Sequence, residues 1–81
     1  MADDKYRFYL MDVGLILRER ALEAEQEQEA ARGTAGASFE VGRAMAYYEV
    51  VSLLLGQAEV FGLAPEDLRM EGFHPDRDLL S

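Results

Sequence analysis

Residues 44–64 read AMAYYEVVSLLLGQAEVFGLA, and what surrounds that stretch decides the fold. It is almost long and apolar enough to cross a bilayer, which takes about 20 apolar residues. Glu49 would then sit inside the hydrocarbon, with Ser52, Gln57 and Glu59 after it, and an intramembrane carboxylate is costly. The chain around it is acidic, with a formal net charge of −8 over 81 residues. The stretch is therefore expected to be a helix of a soluble protein, buried by other helices. On a wheel, Ala44, Tyr47, Tyr48, Val51, Leu54, Leu55, Ala58 and Phe61 share one broad face. Phe39, Ala46, Val50, Leu53 and Val60 extend that face past half the circumference. A helix so widely apolar needs more than one neighbour.

The same helix has readable ends, and the expected span is 39–61. Ser38 is a candidate N-cap with Glu40 in the first turn, and Gly62 supplies the left-handed position after the last turn. Upstream, a first helix is expected over residues 4–31, which contain no proline. Tyr6, Tyr9, Leu10, Val13, Ile16, Leu17, Ala21 and Ala24 follow helical spacing. Phe8, Met11, Leu15 and Leu22 make a second stripe on another side. Gly14 belongs to neither stripe and is expected to cost about 1 kcal/mol of helix propensity relative to Ala. Residues 32–38, RGTAGAS, are a flexible turn, so the two helices are antiparallel neighbours.

This pattern defines an all-α class: an antiparallel helical hairpin followed by a short C-terminal helix. A single partner cannot cover both stripes of the first helix, and a chain this small gains from further burial. The expectation is a homodimer in which two hairpins form a four-helix bundle, with Phe8, Met11, Leu15 and Leu22 at the interface. Residues 65–70 read as the short helix, with Pro65 in its first turn and Glu66 and Asp67 at its positive end. Residues 71–81 are expected to be an extended tail, with Phe73, Leu79 and Leu80 either clamped on the bundle or disordered. The whole chain is read as one helical domain.

Composition narrows the function classes. There is no cysteine, which fits a reducing compartment and leaves neither a disulfide nor, with one histidine, a structural zinc site. The opening MADDKYRFYL is acidic where a secretory leader is basic, so the expected location is cytoplasmic. Seven Arg beside one Lys, with neither Asn nor Trp, resembles coding from a GC-rich, bacterial genome. The negative charge disfavours direct binding to nucleic acid. It permits docking of a basic protein, for which Glu19, Glu23 and Glu27 on the first helix are the candidate residues. Their i, i+4 repeat is mutually repulsive along the helix.

No residue pattern points to catalysis, a cofactor or a metal. His74 is the only imidazole, and no serine or cysteine stands in a nucleophile motif with it. A di-metal bundle pairs Glu with His three residues on, whereas Glu49 has Ser52 there and Glu59 has Gly62. No glycine-rich phosphate loop is present. One polar pair remains to be placed: Arg20 on an apolar stripe and Glu49 on the greasy helix fall at matching heights, which suggests a buried ion pair, within one chain or across the dimer, fixing register. The leading functional reading is a non-enzymatic, homodimeric protein-interaction module. An acidic decoy that mimics nucleic acid is one alternative. A small-molecule binder, using space beside Gly42, Ala46, Ser52 and Gly56, is another.

Overall fold

The computed structural model describes the backbone of residues 2–80 and the side chains of residues 4–80. Helix α1 runs Ala2–Ala30 and α2 runs Ala37–Val60, packed on each other as a hairpin. A 3₁₀ turn, Pro65–Leu68, and a short helix α3, Pro75–Leu79, follow. No strand occurs among the described residues, and no helix there is long and apolar enough to cross a membrane. The molecule measures 50 × 20 × 17 Å, its length set by α1 at about 1.5 Å per residue.

The turn between the long helices is closed by Thr34. Its hydroxyl donates to the Ala31 carbonyl at 2.6 Å and accepts from the Gly36 N–H at 3.3 Å, while Gly33 takes a positive φ of 80°. Because Thr34 finishes the turn early, α2 starts two residues before the expected point. Gly36, not Ser38, is the N-cap, and its carbonyl accepts from the Glu40 N–H at 3.2 Å. The far end of α2 closes at Gly62, with φ 74°. Leu63 N–H reaches the Ala58 carbonyl at 2.8 Å and Gly62 N–H the Glu59 carbonyl at 3.1 Å, the paired bonds of a Schellman cap.

Small residues line the hairpin seam. Ala21 and Ala24 on α1 and Ala44, Val51 and Ala58 on α2 are buried, which lets the two helices approach closely. The rest of the core comes from the C-terminal residues. Leu68, Met70, Phe73 and Leu79 are all buried, and Leu68 and Met70 are among the most completely covered side chains. Of the two expected arrangements the tail takes the clamped one, through Phe73 and Leu79, with Leu80 left exposed and Pro75–Leu79 helical rather than extended. It is a third layer, a strap that crosses one side of the hairpin and closes with α3. Its packing against α1 explains Leu22, which meets the core within the chain, and the half-buried Met11 and Leu15.

Gly14 is where the strap meets α1 most closely. A Cβ placed there would lie 1.9 Å from the Leu68 carbonyl oxygen. What reads in sequence as a helix-weakening residue on neither stripe is the notch into which the 3₁₀ turn settles. The turn itself is capped by Asp67, whose Oδ2 accepts from the Ala64 N–H at 2.8 Å. It ends at Arg69, the one non-glycine residue with a left-handed backbone among those described, φ 57°.

Candidate interaction surface

The strap covers one side of the hairpin, and the opposite side is bare. On α2, Val51 is fully buried while Leu53, about 200° around the helix, is 65% exposed. Phe39, Val50, Val60 and Phe61 share that exposure, with Val60 at 74%. On α1, Tyr6, Tyr9 and Ile16 are exposed. The hairpin is antiparallel, so the N-terminal half of α1 lies beside the C-terminal half of α2. Tyr6, Tyr9, Leu53, Val60 and Phe61 therefore gather at the end away from the turn, while Phe39 lies beside it.

Nearer the turn the face is ionic. Arg43 on α2 pairs across the seam with Glu27, lies 3.9 Å from Glu23, and reaches Glu40 on its own helix at 3.3 Å. Its guanidinium also sits 5.7 Å from the Tyr47 ring. Two of the three glutamates expected to dock a basic partner are thus engaged within the chain. Glu19, exposed, has no such role. The region stays net acidic, since residues 19–43 carry six glutamates against three arginines.

The expected Arg20–Glu49 pair does not form within the chain. Both side chains are exposed, and neither takes part in an ion pair among the described residues. Matching height along the hairpin is not enough: Glu49 is about 200° around α2 from the buried Val51, so it points away from α1. Of the stripe expected at the dimer interface, Leu22 packs into the core, Met11 and Leu15 are half-buried, and Phe8 alone is broadly exposed.

Several contacts that hold the strap escape the periodicity argument. The Arg18 guanidinium donates to the carbonyls of Arg69 at 3.1 Å and Glu71 at 3.2 Å, and stacks 5.3 Å from the Phe73 ring. Its position gives a clue in sequence: Arg18 lies four residues from both Gly14 and Leu22, on the arc where the strap packs. Tyr48 OH donates to Asp76 Oδ1, and that bond, followed by partial burial, raises the phenol above its ordinary value. Asp78 accepts from Arg77 at 2.9 Å and from the His74 N–H at 2.9 Å, which together hold its carboxyl down to about 2.

A cleft of about 350 Å³ lies between α2 and the strap, lined by Leu55, Leu63, Met70 and Phe73, with Glu59 and His74 as its ionisable side chains. No serine, threonine or lysine lines it. Among the described residues, no three His, Cys, Asp or Glu side chains converge as a metal site would require. No family model, no curated protein and no solved structure matches this chain. The molecule stands as a strapped helical hairpin with one bare apolar face.

Proposed function

We propose that this chain is a non-enzymatic protein-interaction module that works as a homodimer, two hairpins joining into a four-helix bundle. The observation that supports it is the bare face itself. Large apolar side chains remain exposed on both long helices of an 81-residue chain, Tyr6, Tyr9 and Ile16 on α1 and Phe39, Val50, Leu53 and Val60 on α2. Large exposed apolar patches mark interaction sites. The interface lies on the face opposite the strap, because the strap already occupies much of the Phe8–Leu22 stripe.

Light scattering tests it. At micromolar concentration the mass is expected to be twice the 9.1 kDa of one chain. Leu53→Glu is expected to return it to the single-chain value with helical content unchanged, since residue 53 packs on nothing within the chain. Phe8→Glu is expected to leave the dimer intact. A wild-type mass of one chain would refute the homodimer, and dissociation by Phe8→Glu alone would move the interface to the other stripe.

A further inference from the structure

We propose that the groove between α2 and the strap binds a small linear diamine, with an ammonium at each end and an apolar chain between them. The groove lies on the strap side of the hairpin, and the inference does not depend on the homodimer reading.

The groove has two parts. The cleft of about 350 Å³ beside Leu63, Met70 and Phe73 meets a second depression of about 300 Å³ bounded by Ser52 and Asp76. Leu55, His74 and Pro75 line both parts and join them. Each part is at the lower end of the size of small-molecule sites, about 300–1,000 Å³. Ser52, Leu55 and Glu59 follow one another on α2 at steps of three and four, so they form one wall. The strap forms the other wall and runs back along α2 as far as the Tyr48–Asp76 bond.

The floor is apolar. Met70 is fully buried and Ala58 and Phe73 nearly so. Carboxylates stand at the two ends. Glu59 is exposed at one, with no ion pair among the described residues. Asp76, at the other, accepts from the Tyr48 hydroxyl through Oδ1. A carboxylate has about four acceptor positions, so Asp76 keeps capacity for a ligand. From Ser52, beside Asp76, to Glu59 is about 10 Å of helix.

Charge selects the ligand. No lysine or arginine lines either part of the groove. Arg77, close by on α3, is engaged by Asp78 and by the Gly72 carbonyl. With the histidine counted as neutral the chain carries −8, and that field also draws cations. An anion would meet two carboxylates. A monocation would answer only one of them, and a short diamine could not reach both. A diamine with a long methylene chain answers both and covers the floor.

Nuclear magnetic resonance on the full chain tests this, with octamethylenediamine as the probe. The Met70 methyl reports from the floor, the His74 ring from the junction, and Met45, outside the groove, is the control. The probe is expected to shift Met70 and His74 saturably and to leave Met45 in place. Glu59→Gln and Asp76→Asn are each expected to weaken binding about fivefold, the effect of an exposed ion pair near the top of its range. The amide at position 76 still accepts from Tyr48, so the strap stays closed. Ethylenediamine and octylamine are expected to bind about fivefold more weakly than the probe, and suberate, a dianion of similar length, not at all. Equal affinity for ethylenediamine or octylamine would overturn the two-ended site. So would equal shifts at Met45, which would mean diffuse attraction to an acidic surface, or the absence of shifts at Met70 and His74. None of these outcomes bears on the mass of the protein, so the homodimer stands or falls separately.

Discussion

The two sides of this hairpin are built from similar material and have different fates. On one side, Leu10, Leu17, Leu22, Tyr48 and Leu55 pack against a core that the strap completes with Leu68, Met70, Phe73 and Leu79. On the other, Tyr9, Ile16, Val50, Leu53 and Val60 are exposed. Apolar composition does not separate the two sides. What separates them is detail: Gly14 leaves room for a backbone, Arg18 offers donors to carbonyls, and Tyr48 offers a hydroxyl to α3. The covered side is specified for one particular segment, whereas the bare side shows no such detail within the chain.

The sharpest way to break that contrast is to truncate one residue on each side. Phe73→Ala is expected to destabilise the fold by about 3–5 kcal/mol, the usual cost of deleting a buried phenyl ring. Leu53→Ala is expected to change it by no more than about 0.5 kcal/mol when measured at dilution, where the chain has single-chain mass. Urea unfolding followed by circular dichroism checks both. Equal losses at the two positions would mean that the outer face is part of the single-chain core.

Gly14 sharpens the comparison next. Helix propensity alone says that Gly14→Ala should stabilise α1 by about 1 kcal/mol. The Leu68 carbonyl stands where the new methyl would go, and the three nearest atoms are all Leu68 backbone, so a net loss of about 1–3 kcal/mol is expected instead. Ala at Gly42 or Gly56 meets nothing within 4 Å and should follow propensity, gaining stability in the isolated chain. The sign of the change at Gly14 against that at Gly42 is the measurement.

The smallest expected effect is the pH response of the strap. Tyr48 donates to Asp76 only while protonated, and its pKa lies above the ordinary value of 10.0. The folded state holds that proton more tightly than the unfolded one, so the contribution is intact below about pH 10 and lost as pH rises through the raised value. Asp78 behaves in the opposite sense. With its pKa lowered from 3.8 to about 2, its contribution is present above pH 4 and lost as pH falls toward 2. Methyl resonances of Leu79 should therefore stay constant between those limits and shift outside them. In Tyr48→Phe the alkaline shift should vanish and the acid one remain.

The helical hairpin was legible because its evidence is local: apolar spacing, a glycine-rich turn, and Gly62 after the last helical turn. The strap was legible only in part: Leu68 and Met70 read as able to pack back and Phe73 and Leu79 as able to clamp, but where they dock is not written locally. Leu68, Met70, Phe73 and Leu79 show no common period, and each contacts residues up to some fifty positions away. Gly14 looked like a defect because wheel arguments count side chains, and its partner is a carbonyl. Arg20 and Glu49 do not meet within the chain for a related reason, since equal height along a hairpin says nothing about azimuth. Large apolar side chains do remain exposed on both long helices. For the α1 stripe, however, much of the cover comes from the chain's own C-terminal residues.

Arg18 carries one more consequence. Its guanidinium grips the carbonyls at 69 and 71, while the side chains at both positions point into solvent. Every amino acid has that carbonyl, so the grip is blind to spelling at these sites and sensitive only to spacing. Lineages carrying this fold would be free to rewrite positions 69 and 71, subject to the left-handed backbone at 69, which favours Gly or Asn. They would not be free to gain or lose a residue between Leu68 and Phe73. A single insertion there would slide both carbonyls off the guanidinium and turn the phenyl ring out of its slot.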